Sequence, residues 1–258
     1  MKYEASGPSD DNPIILLPGG LSGWVSWKPH AEILSKNHGV VRVQLLNMAA
    51  AEENKTPPDG YSIRMESDAL KNTLDQLSAK RIHLVGWSHG GEVSLDFALN
   101  YPERIRTLTL IEPAAYWVAL AHHRFEKEIE SFLNLIRSFK DPVREEDLIK
   151  FLSANDLIPP GTDPRKMPQW PTWNSLRIAL LSIHTVIEHM DKLERLKRLA
   201  GIPALLVRGR ESRGFNSGIV DLLADDLSPT AKVLELPDGH ACHIVARDQF
   251  IAELEKFV

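Results

Sequence analysis

The sequence predicts an α/β fold: a mostly parallel β-sheet flanked by helices, with an inserted helical cap. Three observations carry that expectation. Short apolar runs alternate with helical spacing from Ile14 to Ile111. From about Ala114 to Leu199 the spacing is helical, with no convincing strand. The alternation then resumes and runs on to Val258. Strands alternating with helices imply parallel pairing through right-handed crossovers. A single break in that rhythm divides the chain into a core, residues 1–113 and 200–258, and a cap, residues 114–199. With 258 residues, 43% of them hydrophobic, the chain can bury a sizeable core.

Each element has its own signal. Ile14–Leu17 (IILL) is a short apolar run ended by Pro-Gly-Gly, a buried strand followed by a turn. Val40–Leu46 (VVRVQLL) reads as a second strand. Ser62–Leu77 carries Ile63, Leu70, Leu74 and Leu77 at helical spacing. Ile82–Val85 is a third strand, with a helix over Gly91–Asn100 behind it, and Ile105–Ile111 is a fourth. Inside the insertion, Phe125, Ile129, Phe132, Leu133 and Ile136 recur every three or four residues. So do Leu176, Leu180, Ile183, Ile187 and Met190. Between these stripes, Pro159–Trp173 holds five prolines in fifteen residues, a stiff composition suited to a surface loop. Ala204–Val207 and Lys232–Leu236 are the last strands, and a helix closes the chain.

Composition narrows the function. Net charge is −5, the pI is about 6.1, and there is no basic run. Nothing electrostatic therefore favours nucleic acid or an anionic membrane. No apolar run nears the ~18 residues of a membrane span. The start, MKYEASGPSDDNP, lacks an apolar signal core, so the expectation is a soluble cytoplasmic protein. The single cysteine, Cys242, excludes an intrachain disulfide and reads as a small buried apolar residue. No His, Cys and carboxylate cluster stands at ligand spacing, so no metal or other cofactor is expected. The sequence is silent on oligomeric state, and a homodimer stays open.

The densest chemical signal is LVGWSHGG, residues 84–91. Strand, then Gly86-x-Ser88-x-Gly90, then helix is the pattern of a nucleophile elbow. Ser88 belongs at the tip of a tight turn, its hydroxyl raised above the sheet edge. Side chains at 86 and 90 would collide with the neighbouring strand or helix. The amino end of the following helix favours developing negative charge at the serine.

Together these stretches resemble the α/β-hydrolase superfamily, and the resemblance covers nearly all of the chain. LLPGGLSGWVSWKP is similar to the family's first turn, with Pro18 and Gly19 where His-Gly is usual and Gly20 next. NYPERIRTLTLIEP is similar to the segment after the nucleophile helix, and PDGHACHIVARDQF to the terminal loop that bears the base. The resemblance implies Ser88 as nucleophile, His240 as base, and the backbone N–H groups of Gly20 and His89 as oxyanion donors. His243, three residues past His240, is the competitor for the base. His122, His123 and His184 fall in the cap and read as surface or packing residues, with His184 also able to face substrate. Trp87 adjoins the nucleophile and is a pocket-lining candidate. Trp24, Trp170, Trp173, Tyr116 and Trp117 are further ones.

The acid departs from the family's commonest pattern. After the penultimate strand, LLVRGRESRGF puts Ser212 and Arg213 in the usual Asp slots, with Glu211 one place early. A second superfamily location is the end of the strand after the nucleophile helix. There the chain reads LTLIEPAAY, with Glu112 24 residues past Ser88. Strand carboxyl ends are where open α/β sheets place their sites. Glu112 and Glu211 are both candidates. Two more departures concern the frame: the leading antiparallel hairpin is cut short or missing, and NMAAAEENKTPPDGYS replaces an Asp and a Gly-rich turn, reshaping one pocket wall.

The resemblance implies a serine hydrolase that cleaves an ester or lactone of a small, largely apolar substrate through an acyl-enzyme. The rivals are a C–C hydrolase of ring-cleavage products and a non-enzymatic ligand-binding receptor. Dehalogenation and epoxide opening need a carboxylate where Ser88 stands.

Overall fold

Six short apolar runs and one polar one line up side by side in the computed structural model, which describes residues 1–9, 11–159, 161–212 and 214–258. Among the described residues they are β1 (Tyr3–Ser6), β2 (Ile14–Leu17), β3 (Val40–Val43), β4 (Ile82–Trp87), β5 (Ile105–Ile111), β6 (Ala204–Gly209) and β7 (Ala231–Leu236). Their order is β1-β3-β2-β4-β5-β6-β7. β1 pairs antiparallel with β3, and the other pairings are parallel. The fold is therefore the α/β fold with a mostly parallel sheet that the strand–helix rhythm predicts.

Strand side chains alternate between two buried faces. Ile14 and Leu16 pack with Trp27, Leu34 and Phe250, while Ile15 and Leu17 pack with Leu70, Leu74 and Phe97. All four β2 side chains are fully buried, each contributing about 2 kcal/mol relative to exposure. A one-residue slip would exchange the two faces, so the pattern holds the register.

The helices cover both faces. α1 (Lys28–Leu34), α2 (Leu46–Glu52), α3 (Ile63–Gln76) and α4 (His89–Asn100) fall between the early strands. Between β5 and β6 the described chain holds only helices: α5 (Tyr116–Ala121), α6 (Glu126–Arg137), α7 (Glu145–Ala154), α8 (Trp170–Ser175) and α9 (His184–Ile187), with 3₁₀ turns among them. α10 (Phe215–Asp226), α11 (Cys242–Val245) and α12 (Arg247–Glu255) complete the chain. No helix among the described residues is long and apolar enough to cross a membrane.

Three local readings change and a fourth holds. The strand expected over 40–46 ends at Val43, because Leu46 already starts α2. The buried Glu66 carboxylate accepts the Leu46 and Asn47 N–H groups (2.9 and 3.3 Å), serving that helix as a cap. The stripe at 176–190 is not one helix but a 3₁₀ stretch, Arg177–Ser182, followed by α9. There the Ser182 and Thr185 hydroxyls donate to carbonyls three residues back, which competes with regular helix. The proline-rich connector contains a 3₁₀ turn, Pro164–Lys166, and the start of α8; Pro160 lies outside the described residues. In place of a leading hairpin stands the single strand β1, pairing Tyr3–Ser6 with Val40–Val43.

The chain passes from β2 to one side of the sheet and from β4 to the other. The crevice at the carboxyl ends of β2 and β4 is thus a topological switch point, where open sheets bind ligands.

Candidate active site

β4 is fully buried along its length and delivers Ser88 at its carboxyl end. Ser88 holds φ 52° and ψ −116°, a conformation costly for a residue with a Cβ. Its surroundings over-determine it: the Ser88 N–H donates to the Ile111 carbonyl at 2.9 Å, and the Ser88 carbonyl accepts from Ala114 N–H at 3.0 Å. The flanking glycines are steric necessities. A Cβ on Gly86 would fall 2.2 Å from Ser94 Oγ and 2.3 Å from the Gly90 carbonyl oxygen. One on Gly90 would fall 2.5 Å from the Pro18 carbonyl oxygen.

The turn after β2 is clamped to this elbow, since Gly90 N–H donates to the Pro18 carbonyl at 3.1 Å. That clamp brings Gly20 to the same small cavity as Ser88 and His89. His89 is the first residue of α4, so its N–H has no intrahelical acceptor. Its ring turns away into the core. Nε2 meets the Tyr61 hydroxyl at 3.2 Å, and that hydroxyl donates to Glu66 at 2.7 Å. Burial holds the His89 imidazole down to about 3 and pushes the Glu66 carboxyl up to about 7.

Glu112 directly follows β5 and is 1% exposed. It too holds a positive φ, 38°. Its N–H donates to the Val207 carbonyl at 2.9 Å, and its Oε1 accepts from Gly209 N–H at 2.7 Å. Its Oε2 lies 2.7 Å from His240 Nδ1. An ionised carboxylate only accepts, so Nδ1 carries the imidazole proton and Nε2 is left as the acceptor. His240 is held from behind by Trp87, whose Nε1 donates to the His240 carbonyl at 2.9 Å. The loop before it is tight as well: Asp238 has φ 81° and accepts from Gly239 N–H at 2.6 Å.

Glu211, the other candidate acid, is exposed and lines a different, larger cavity. Arg213 lies outside the described residues, and Ser212 is half-buried. His243 does not line the cavity at Ser88. It is fully buried, its ring 4.6 Å from Trp87 and 4.9 Å from Trp27, and its carbonyl accepts from His30 Nε2. Burial keeps both of these imidazoles neutral, His30 down to about 4. Cys242 is buried, which raises its thiol.

The cavity at Ser88 has a volume of about 20 Å³ and is walled by Tyr116, Phe132, Phe151, Ile183 and Val186 from the helical segment, with Asn155 the polar exception. A neighbouring cavity of about 630 Å³ shares Trp87 and Leu157 with it and includes Trp173. Trp24, Trp117 and Trp170 line neither: Trp117 Nε1 donates to Glu92, and Trp170 lies under the Arg165 guanidinium. His122 and His123 pair with Asp226 and Glu126, and His184 Nδ1 sits 3.0 Å from the Leu181 carbonyl, so none of the three reaches the cavity. Phe151 and Asn155 are missed in the sequence, although Leu148, Phe151 and Leu152 form a helical stripe that places Phe151 inward. The Tyr61–Glu66 support carries no sequence signal at all.

The chain belongs to the α/β-hydrolase fold family, whose profile matches residues 12–246. An uncharacterized carboxylesterase of Bacillus subtilis strain 168, nap, is 30% identical over 141 residues, which is 50% of this chain and 45% of that protein. The match thus spans less than half of that relative. A putative carbamate hydrolase, RutD, of Agrobacterium fabrum strain C58 is 27% identical over 100% of this chain and 98% of its own length. Among solved structures, a hydrolase from Pseudomonas aeruginosa PA01 superposes with a TM-score of 0.78 at 22% identity, covering 99% of this chain and 92% of that one. That likeness speaks for the fold.

Proposed function

We propose that the chain hydrolyses an ester or lactone of a small, largely apolar carboxylic compound through an acyl-enzyme. Ser88 Oγ attacks the carbonyl carbon while His240 Nε2 takes its proton. Glu112 holds the imidazole tautomer and stabilises the imidazolium. The Gly20 and His89 N–H groups receive the oxyanion, each such donor being worth ~3 kcal/mol in the transition state. His240 then passes its proton to the departing alcohol oxygen. Water, activated by the same base, releases the acid and restores Ser88. Residues 114–199 act as a cap over a core of 1–113 and 200–258, and the phenylalanine and aliphatic wall they supply suits an apolar acyl group.

One observation carries this reading: a strained Ser88 shares its cavity with a His240 whose Nδ1 lies 2.7 Å from a buried carboxylate. The test is labelling with a serine-directed fluorophosphonate, followed by turnover of p-nitrophenyl esters of rising chain length and a set of lactones. Carbamates and a ring-cleavage diketone complete the panel. Labelled Ser88 with fastest turnover on short esters or lactones is the expected result. An inert Ser88 removes the serine-hydrolase reading, and turnover confined to the diketone or carbamates moves the reaction to a different bond.

A further inference from the structure

On another flank of α4 the fold buries more negative charge than it neutralises. Glu92 and Asp96 lie one helical turn apart and are 0% and 3% exposed. Asp191, with a side chain 7% exposed, joins them from the segment that leads from α9 into β6. Arg195 pairs with Asp191. His189 stands among the acids, its Nε2 3.4 Å from Glu92 Oε1 and 3.9 Å from Asp96 Oδ1. Three carboxyl groups and one guanidinium share a largely buried space, so the acids outnumber their cationic partner. Trp117 Nε1 donates to Glu92 Oε1, and Ser67 Oγ donates to Asp96. Glu92 Oε2 is shut off from solvent and has no partner. An orphaned buried acceptor of this kind is costly to the fold. Burial, with Asp96 and Asp191 close by, holds the Glu92 carboxyl well above the usual carboxylate range.

The sequence shows no ligand cluster, but the fold assembles one from positions almost a hundred residues apart. Ligand atoms of Asp96, His189 and Asp191 lie within 4.8 Å of one another, and Glu92 Oε1 lies 3.4 Å from His189 Nε2. Ligands ~2.1 Å from one tetrahedral ion sit roughly 3.4 Å apart, so closure asks side chains for shifts of about an ångström or less. His189, 17% exposed, gives an ion a way in from the surface.

We propose that Asp96, His189 and Asp191 bind one divalent transition-metal ion of the zinc class, with Glu92 beside it. The ion offsets the excess of acidic groups buried around His189 and Glu92. It fastens α4, which begins next to Ser88, to the chain leaving the helical segment, and it takes no part in bond cleavage.

The test uses the purified full chain, stripped with EDTA and titrated calorimetrically with Zn²⁺, Mn²⁺ and Ca²⁺. Thermal melts with and without each ion accompany the titrations. The expected result is one saturable Zn²⁺ per chain, tighter than Ca²⁺, and a Tm that rises on Zn²⁺ addition. His189→Gln and Asp96→Asn should each weaken Zn²⁺ binding 10–100-fold or more and abolish the Tm rise. If Asp96→Asn fails to fold, the more exposed His189→Gln decides. Absence of saturable Zn²⁺ binding, binding that persists undiminished in His189→Gln, or a preference for Ca²⁺ overturns the proposal.

Discussion

The strand ends and the helical segment meet at Ser88, and they hold their residues by different means. At the strand ends the backbone itself is constrained. Ser88, Glu112 and Asp238 sit past β4, β5 and β7 with φ of 52°, 38° and 81°, and backbone hydrogen bonds tie Ser88 and Glu112 to neighbouring strands. In the helical segment the wall is side chain against side chain. Phe132 packs 6.1 Å from Phe151, 6.1 Å from Tyr116 and 5.6 Å from Phe215. A backbone-held group cannot drift without breaking the sheet, whereas a packed wall can be recut one residue at a time. The chemistry is therefore expected to be rigid and the substrate preference pliable.

Five substitutions, in three sets, probe that contrast, from the largest expected effect to the smallest. In Glu112→Gln the amide oxygen keeps the Gly209 N–H and turns NH₂ toward His240 Nδ1. That drives the imidazole proton to Nε2, the wrong tautomer, and kcat should fall about 10⁴-fold. Glu211→Gln should keep parental kcat. Activity of Glu112→Gln within tenfold of the parent would put the acid elsewhere. Next, Gly86→Ala should cost about 3 kcal/mol in urea unfolding, because its Cβ meets backbone and Ser94. Gly20→Ala should cost less than about 1 kcal/mol, since its nearest neighbour is the flexible Ile183 Cδ1 at 3.4 Å. Equal costs would show that the elbow is no stiffer than its surroundings. Last, Phe151→Leu in the wall should move kcat/KM about tenfold toward longer acyl chains with kcat on the best ester little changed. A uniform drop across chain lengths would mean that Phe151 supports the nucleophile rather than the pocket.

What the sequence reveals follows the same divide. β2, β4 and β5 are legible because each is a mostly apolar, almost wholly buried run closed by Gly, Ser or Glu-Pro. Ser88 is legible because only glycine fits at 86 and 90. β1 is not, since YEAS is mostly exposed and is a strand only by pairing with β3. Nor is the end of β3, which depends on Glu66 capping a helix from 20 residues away. Glu112 and Glu211 look alike in sequence because both follow strands. What separates them is the adjacency of β5 and β6, which sets Glu112 against Gly209 and within reach of His240. Helical spacing at 176–190 is real, but it cannot register that Ser182 and Thr185 tighten the turns.

β5 and β6 are neighbours in the sheet, so the 92 residues between Ile111 and Ala204 leave and return through adjacent doorways. An excursion whose two ends already touch asks almost nothing of the frame it departs from, because closing a loop across one strand spacing is entropically cheap at any length. Lineages of such chains can therefore trade whole roofs while the floor stays put. A graft of a foreign helical segment at these two ends is the natural unit of redesign.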